Sequence, residues 1–182
     1  MSENKHGGLL ISPEGPMECA TPLNSAQKLG TGPRLLTRLI HGWGRLTRGV
    51  TLGVKAAAIN DEGNILLVRH TYVPGWHLPG GGVEIGETAE QAVGRELTEE
   101  AAIRLDGRPR LHGLFLNLNL GRRDHVAVYV VDRFTQGAVP APNREIAEIG
   151  FFPPGSLPES LTGPTRRRLS EIIEGAPPAA HW

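Results

Sequence analysis

The sequence predicts an α/β domain over residues 49–176 in which strands and helices mix within one core. Three observations predict it. Alternating or continuous apolar runs of strand length recur at Thr51–Ile59, Ile65–Tyr72, Arg110–Leu120, His125–Phe134 and Ile149–Phe152. Two segments of helical period interrupt and close that series, one after Thr88 and one over Pro164–Glu174. The chain of 182 residues is long enough to bury a sizeable core in a single domain, and it has no internal repeat.

Taken in order, residues 1–33 are rich in Gly, Pro, Ser and Asn, lack periodicity and are expected to be a flexible N-terminal tail. Residues 34–48 are expected to form an amphipathic helix. Leu35, Leu36, Leu39, Ile40, Trp43 and Leu46 make its apolar stripe, flanked by Arg34, Arg38, Arg45 and Arg48 and weakened by Gly42 and Gly44. A basic amphipathic helix suits an anionic membrane surface, but such stripes more often pack on a core or a second copy. Packing or a homodimer contact is therefore expected over membrane contact.

The first two strands are joined by an Asp61-Glu62-Gly63-Asn64 turn. Gly75-Trp76-His77-Leu78-Pro79 then leads into a glycine run, Gly80-Gly81-Gly82. Thr88 and Gln91 have the spacing of a capping box, which starts the central helix. Gly121-Arg122-Arg123-Asp124 reads as a hairpin turn between the third and fourth strands. Leu169, Ile172 and Ile173 are the expected buried face of the closing helix, and residues 177–182 a C-terminal tail.

Composition narrows the function. Lys+Arg and Asp+Glu both number 19, and this balance argues against binding polymeric nucleic acid by bulk charge. Cys19 is the single cysteine, so neither an intramolecular disulfide nor a zinc cluster is implied. No apolar run has the length of a membrane span, and the start of the chain lacks the pattern of a secretory signal. A cytoplasmic location is expected.

The chemistry concentrates on the central helix. Glu96, Glu99 and Glu100 lie at spacing i, i+3, i+4, on one helical face. That face also carries Ala89, Ala92, Val93 and Ile103, whereas Glu90, Gln91, Arg95 and Thr98 take the other side. A solvated acidic stripe would sit on the polar side. Carboxylates directed toward a protein body need a partner, and a divalent cation with a preference for hard oxygen ligands is the best candidate.

The wider pattern resembles a known family. Gly81, Glu87, Arg95-Glu96-Leu97, Glu99-Glu100 and Ile103 match the box G-x5-E-x7-R-E-U-x-E-E-x-G-U of the MutT/Nudix hydrolases, where U is aliphatic. Every charged position is matched. One position departs, with Ala102 where the family has its second glycine. If that helix end keeps a left-handed residue, alanine costs on the order of 1 kcal/mol there, and no ligand is lost.

The resemblance implies a three-layer α/β/α sandwich with a mixed sheet. It implies water attack on a phosphorus of a nucleoside diphosphate linked to a further group, assisted by Mg²⁺, with Mn²⁺ as a substitute. By the same resemblance Glu96, Glu99 and Glu100 would ligate the metal, Glu96 could also accept the proton of the attacking water, and the Gly80 carbonyl would complete the site. Gly81, Glu87 and Arg95 would hold the loop against the helix. A further acid from a later loop is expected, with Glu145 ahead of Glu148. Arg69, His70, Tyr72 and Trp76 stand where relatives place substrate contacts, although Trp76 also suits a core. Arg122 and Arg123 in the hairpin turn could reach a phosphate. His77, His112 and His125 have no zinc spacing and receive no role.

The partner implied is a small nucleotide: a nucleoside triphosphate, a damaged nucleotide or a nucleotide sugar. The proline that marks ADP-ribose hydrolases is absent around Asn117–Leu120, and Tyr129 lies too far along to be the tyrosine of dinucleoside polyphosphate hydrolases. The alternative is a catalytically silent module that binds a nucleotide or a regulatory partner. Such modules usually lose box glutamates, and this chain retains Glu87, Glu96, Glu99 and Glu100.

Overall fold

The computed structural model describes residues 49–119 and 122–182. The tail expected over 1–33 and the helix expected over 34–48 lie outside those residues, as do Leu120 and Gly121. The described chain runs β1 (Thr51–Ala58), β2 (Ile65–His70), β3 (Trp76–His77), α1 (Ala89–Ala101), β4 (Ile103–Leu105), β5 (Arg110–Leu116), β6 (Asp124–Val131), β7 (Phe134–Gln136), β8 (Ile146–Phe152), a 3₁₀ turn (Pro154–Ser156) and α2 (Gly163–Glu174). Strand β1 pairs in parallel with β6, and β6 pairs antiparallel with β5, so this sheet is mixed. Strand β2 lies between β3 and β8, antiparallel to both, and β4 pairs with β7.

Side-chain alternation turns these strands into three layers. Val54, Ala56 and Ala58 of β1, Leu66 of β2 and Ala127, Tyr129 and Val131 of β6 pack in one cluster with Ala92, Val93, Leu97 and Ala101 of α1. Their neighbours in sequence, Ala57, Ile65, Leu67, Val126 and Val128, point the other way into a second cluster that includes Leu169 of α2. Period-2 strands that bury both faces between two helices give the expected α/β/α sandwich.

Several boundaries differ from expectation, each for a local reason. The third strand stops at Leu116, because Asn117 turns the chain. Its Nδ2 donates to Asp124 Oδ2 at 2.8 Å, and its Oδ1 accepts from the Asn119 N–H at 3.2 Å. The fourth strand ends at Val131, and Phe134 belongs instead to β7, a strand the sequence did not reveal. Ile103 shares the predicted face but not the helix. Ala102 adopts φ 52°, ψ 35°, the helix ends, and Ile103 enters the same core as the first residue of β4. Thr88 and Gln91 form a complete capping box at the other end of α1.

The closing helix buries Leu169 but leaves Ile173 48% exposed. It also buries Thr165 and Arg168, neither expected; the Arg168 guanidinium lies 4.2 Å from the Phe115 ring centroid and donates to Glu171 and to the His181 carbonyl, both at 2.7 Å. Residues 177–182, read from sequence as a tail, run along β5. The Leu116 N–H donates to the Ala180 carbonyl, and the Trp182 N–H donates to the Leu116 carbonyl, both at 3.0 Å.

Candidate active site

The site is built where the glycine run is laced onto β1. The N–H groups of Ala56 and Val54 donate to the carbonyls of Pro79 (2.9 Å) and Gly81 (2.8 Å), and the Val83 N–H donates to the Leu52 carbonyl (2.9 Å). The peptide groups of Gly80 face other partners. Its N–H donates to Glu100 Oε2 at 2.8 Å, and its carbonyl accepts from Lys55 Nζ at 2.5 Å. Glycine is required here. Gly80 has φ 133°, and a Cβ would overlap the Val54 carbonyl oxygen. At Gly81 a Cβ would overlap the Glu96 carboxylate, so the loop backbone lies directly against that side chain.

Glu87 and Arg95 fasten the loop to the helix. Arg95 Nε and Nη2 donate to the two Glu87 oxygens at 3.0 and 3.1 Å, and Nη2 also donates to the Gly82 carbonyl at 2.9 Å. Glu87 in turn accepts the Glu84 N–H at 3.0 Å. The Arg95 side chain and the Glu84 N–H hold the Glu87 carboxyl below its ordinary pKa.

Above the glycines lies a cleft of about 420 Å³, lined by Glu96, Glu100 and Glu145 together with Lys55, His70, Tyr72, Val73 and His77. Glu100 is buried at the centre. Burial pushes its carboxyl up to about 7, the Lys55 charge and the Gly80 N–H oppose the rise, and Glu96 and Glu145 add to it. Lys55 is lowered by burial, with Glu100 and Glu96 opposing. His70 Nε2 is 3.8 Å from Glu100 Oε1, and its Nδ1 is buried without a hydrogen-bond partner. Burial and the nearby Lys55 and His77 hold His70 below its usual pKa. Tyr72, at the mouth, donates to Glu145 Oε1 at 3.4 Å.

The expected residues divide. Glu96, Glu100, Glu145 and Gly80 converge on the cleft. Glu99 does not: its side chain is 60% exposed and its carboxylate lies 3.3 Å from Arg95 Nη1. The helix turns Glu100 inward and leaves Glu99 toward water, so the acidic face is split. Glu148 is committed elsewhere, because it lies across from Arg69 in the β2–β8 pair and accepts from Arg69 Nη2 at 2.6 Å. That ion pair also takes Arg69 away from the carboxylate cleft. Trp76 is 7% exposed and packs edge-on against Phe152 at 4.9 Å, in the core and outside the lining of the cleft. Arg122 and Arg123 are exposed in the β5–β6 turn and do not line the cleft.

Sequence reasoning missed Lys55 and gave His77 no role. The available signal for Lys55 was a lone charge in the run Thr51–Ala58, where burial leaves a lysine few places to go.

The cleft's donors suit a hard divalent cation. His70, Glu100 and Glu145 each present a ligand atom within 4.8 Å of the others, and Glu100 is a carboxyl raised chiefly by burial, with Glu96 and Glu145 adding to the rise.

A sandwich whose central helix carries its carboxylates beneath a glycine loop is the architecture of a Nudix hydrolase, and the comparisons with known proteins agree. The NUDIX domain family model matches residues 50–172, and the chain belongs to that family. A putative 8-oxo-dGTP diphosphatase of Bacillus subtilis is 30% identical over 126 residues, 69% of this chain and 82% of the relative. The putative mutator protein MutT4 of Mycobacterium tuberculosis is 38% identical over 103 residues, 54% of this chain, but the match spans only 41% of that longer protein. The crystal structure of a MutT NUDIX hydrolase from Burkholderia pseudomallei superposes with a TM-score of 0.58 at 33% identity, covering 67% of this chain and 97% of that one. Nudix hydrolases use divalent metal and act on small nucleotide substrates. Among the described residues no helix is long and apolar enough to cross a membrane.

Proposed function

We propose that the protein is an Mg²⁺-dependent pyrophosphohydrolase that cleaves a nucleoside diphosphate linked to another group, by attack of water on phosphorus. The observation that carries this reading is the convergence of Glu96, Glu100 and Glu145 on one cleft around Gly80. Those three carboxylates would hold the ion. When bound, the ion supplies charge neutralisation at the phosphates and a lower pKa for the attacking water.

The chain's own residues do the positioning. Glu96 is fixed by Arg95, whose Nη1 donates to its Oε1 at 2.7 Å, and it is set to accept the proton of the attacking water. Glu100 anchors the glycine loop through the Gly80 N–H. Tyr72, 65% exposed at the mouth, offers a hydroxyl and a ring face to an incoming nucleotide.

The substrate class is a nucleoside triphosphate, a damaged nucleotide or a nucleotide sugar. The name of the Bacillus relative puts oxidised dGTP first among the compounds to test. The experiment is phosphate release, after coupled phosphatase treatment, from a nucleotide panel with Mg²⁺ or Mn²⁺. Turnover of at least one member that vanishes on chelation supports the reading. Binding of a panel member with no turnover of any replaces it with a silent nucleotide-binding module.

A further inference from the structure

Strand β1 reads Thr-Leu-Gly-Val-Lys-Ala-Ala-Ala, and Lys55 is its only charged residue. The residues around it are spent on core packing: Val54 and Ala56 face one cluster, and Ala57 faces the other. Lys55 reaches instead to the Gly80 carbonyl, at 2.5 Å. The same glycine gives its N–H to Glu100. One ammonium, one peptide and one buried carboxylate thus form a hub at the floor of the cleft. Among the residues lining that cleft, Lys55 is the only lysine or arginine.

Three carboxylates draw a dication to the same floor. A dication near Gly80 and the Lys55 ammonium would stand a few ångströms apart in a partly buried setting, where like charges repel strongly. The two compete for the same field, and only one of them is tethered. The lysine stem has four carbons and rotates freely enough to carry its head toward the open side of the cleft.

We propose that Lys55 is a resident cation that holds the glycine loop and Glu100 together in the metal-free protein, and that withdraws from the Gly80 carbonyl when a divalent ion enters. This rests on the metal-dependent reading above. Lys55 is therefore a positioning residue that lowers metal affinity, because an entering ion must displace it from the Gly80 carbonyl. Loss of the ammonium, with the carboxylates untouched, leaves the carbonyl open and the acidic field uncompensated.

The test is equilibrium Mn²⁺ binding to the full chain without nucleotide, followed by the electron paramagnetic resonance signal of free Mn²⁺. Lys55→Met and Lys55→Gln are expected to tighten Mn²⁺ binding by about tenfold or more, equivalent to ~1.4 kcal/mol. Lys55→Arg keeps the charge and should stay within about threefold of the parent, roughly half that free energy. A lysine with a merely structural role would weaken binding when removed, so the direction of the change separates the two. Glutamine preserves a hydrogen-bond donor and serves if the methionine variant does not fold. Unchanged or weaker binding in the neutral variants, with clear binding by the parent, overturns the lysine proposal and leaves the metal site standing. Absence of Mn²⁺ binding in the parent and all variants at millimolar ion overturns both.

Discussion

Ala102→Gly tests how the box helix ends. Ala102 is the one non-glycine residue with positive φ among the described residues, at φ 52°, ψ 35°. Its N–H donates to the carbonyls of Leu97 and Thr98, so the conformation is held by the helix terminus itself. A left-handed conformation costs an L-residue with a Cβ about 1 to 2 kcal/mol. Glycine removes that strain but has more freedom to lose on folding, about 0.4 to 1 kcal/mol at such sites. The difference is a net stabilisation of about 0.5 to 1 kcal/mol. No hydrogen bond is lost, because only the methyl group disappears. For a domain of this size the gain should raise the melting temperature by about 2 to 5 °C. Urea unfolding monitored by circular dichroism should show a higher midpoint with an unchanged slope, and hydrolytic activity should be unaltered because no cleft residue moves. A glycine variant that is less stable than the parent refutes the reasoning. It would mean that the alanine methyl, close to Gly137, contributes more by packing than the backbone strain costs.

Further outcomes follow from the same geometry. Gly81→Ala should lower kcat at least about tenfold with little loss of stability, because its Cβ would displace the Glu96 carboxylate; unchanged kcat would mean the loop gives way without moving Glu96. Glu145→Gln should reduce turnover about tenfold or more, whereas Glu148→Gln should leave kcat unchanged because Glu148 is spent on Arg69; equal effects would reassign the third carboxylate. Glu171 is raised by burial, but His112, the Ala179 N–H and Arg168 outweigh this and hold it below the ordinary 4.5. The sign follows: a depressed carboxyl stabilises the fold above its unfolded pKa and loses that contribution as pH falls through the folded value. Glu171→Gln should thus be less stable than the parent at pH 7 and converge with it in acid, with faster amide exchange at Leu116 and Trp182. A stability gap that persists at low pH would show that packing, not charge, makes the difference.

The helix with its capping box, the five main strand regions and the loop-to-helix clamp of Glu87 and Arg95 were legible in the chain. They depend on local spacing, and a spacing survives folding unchanged. The short strands β3, β4 and β7 were not legible. Each has two or three residues and exists only because a partner lies beside it. The buried Arg168 was hidden for a related reason: its place depends on Phe115 and on the returning chain at His181, neither of which is near in sequence.

The sequence by itself determined the family, the helix that bears the carboxylates and the need for glycines before it, because these are matters of residue type at fixed intervals. The tertiary structure decided which carboxylates share a cleft. It buried Glu100, left Glu99 to water, tied Glu148 to Arg69 and carried Glu145 and Lys55 to the same cleft from strands and loops far apart in the chain. Helical spacing fixes a direction around an axis. What stands in that direction, solvent or a neighbouring strand, is set only when the layers pack.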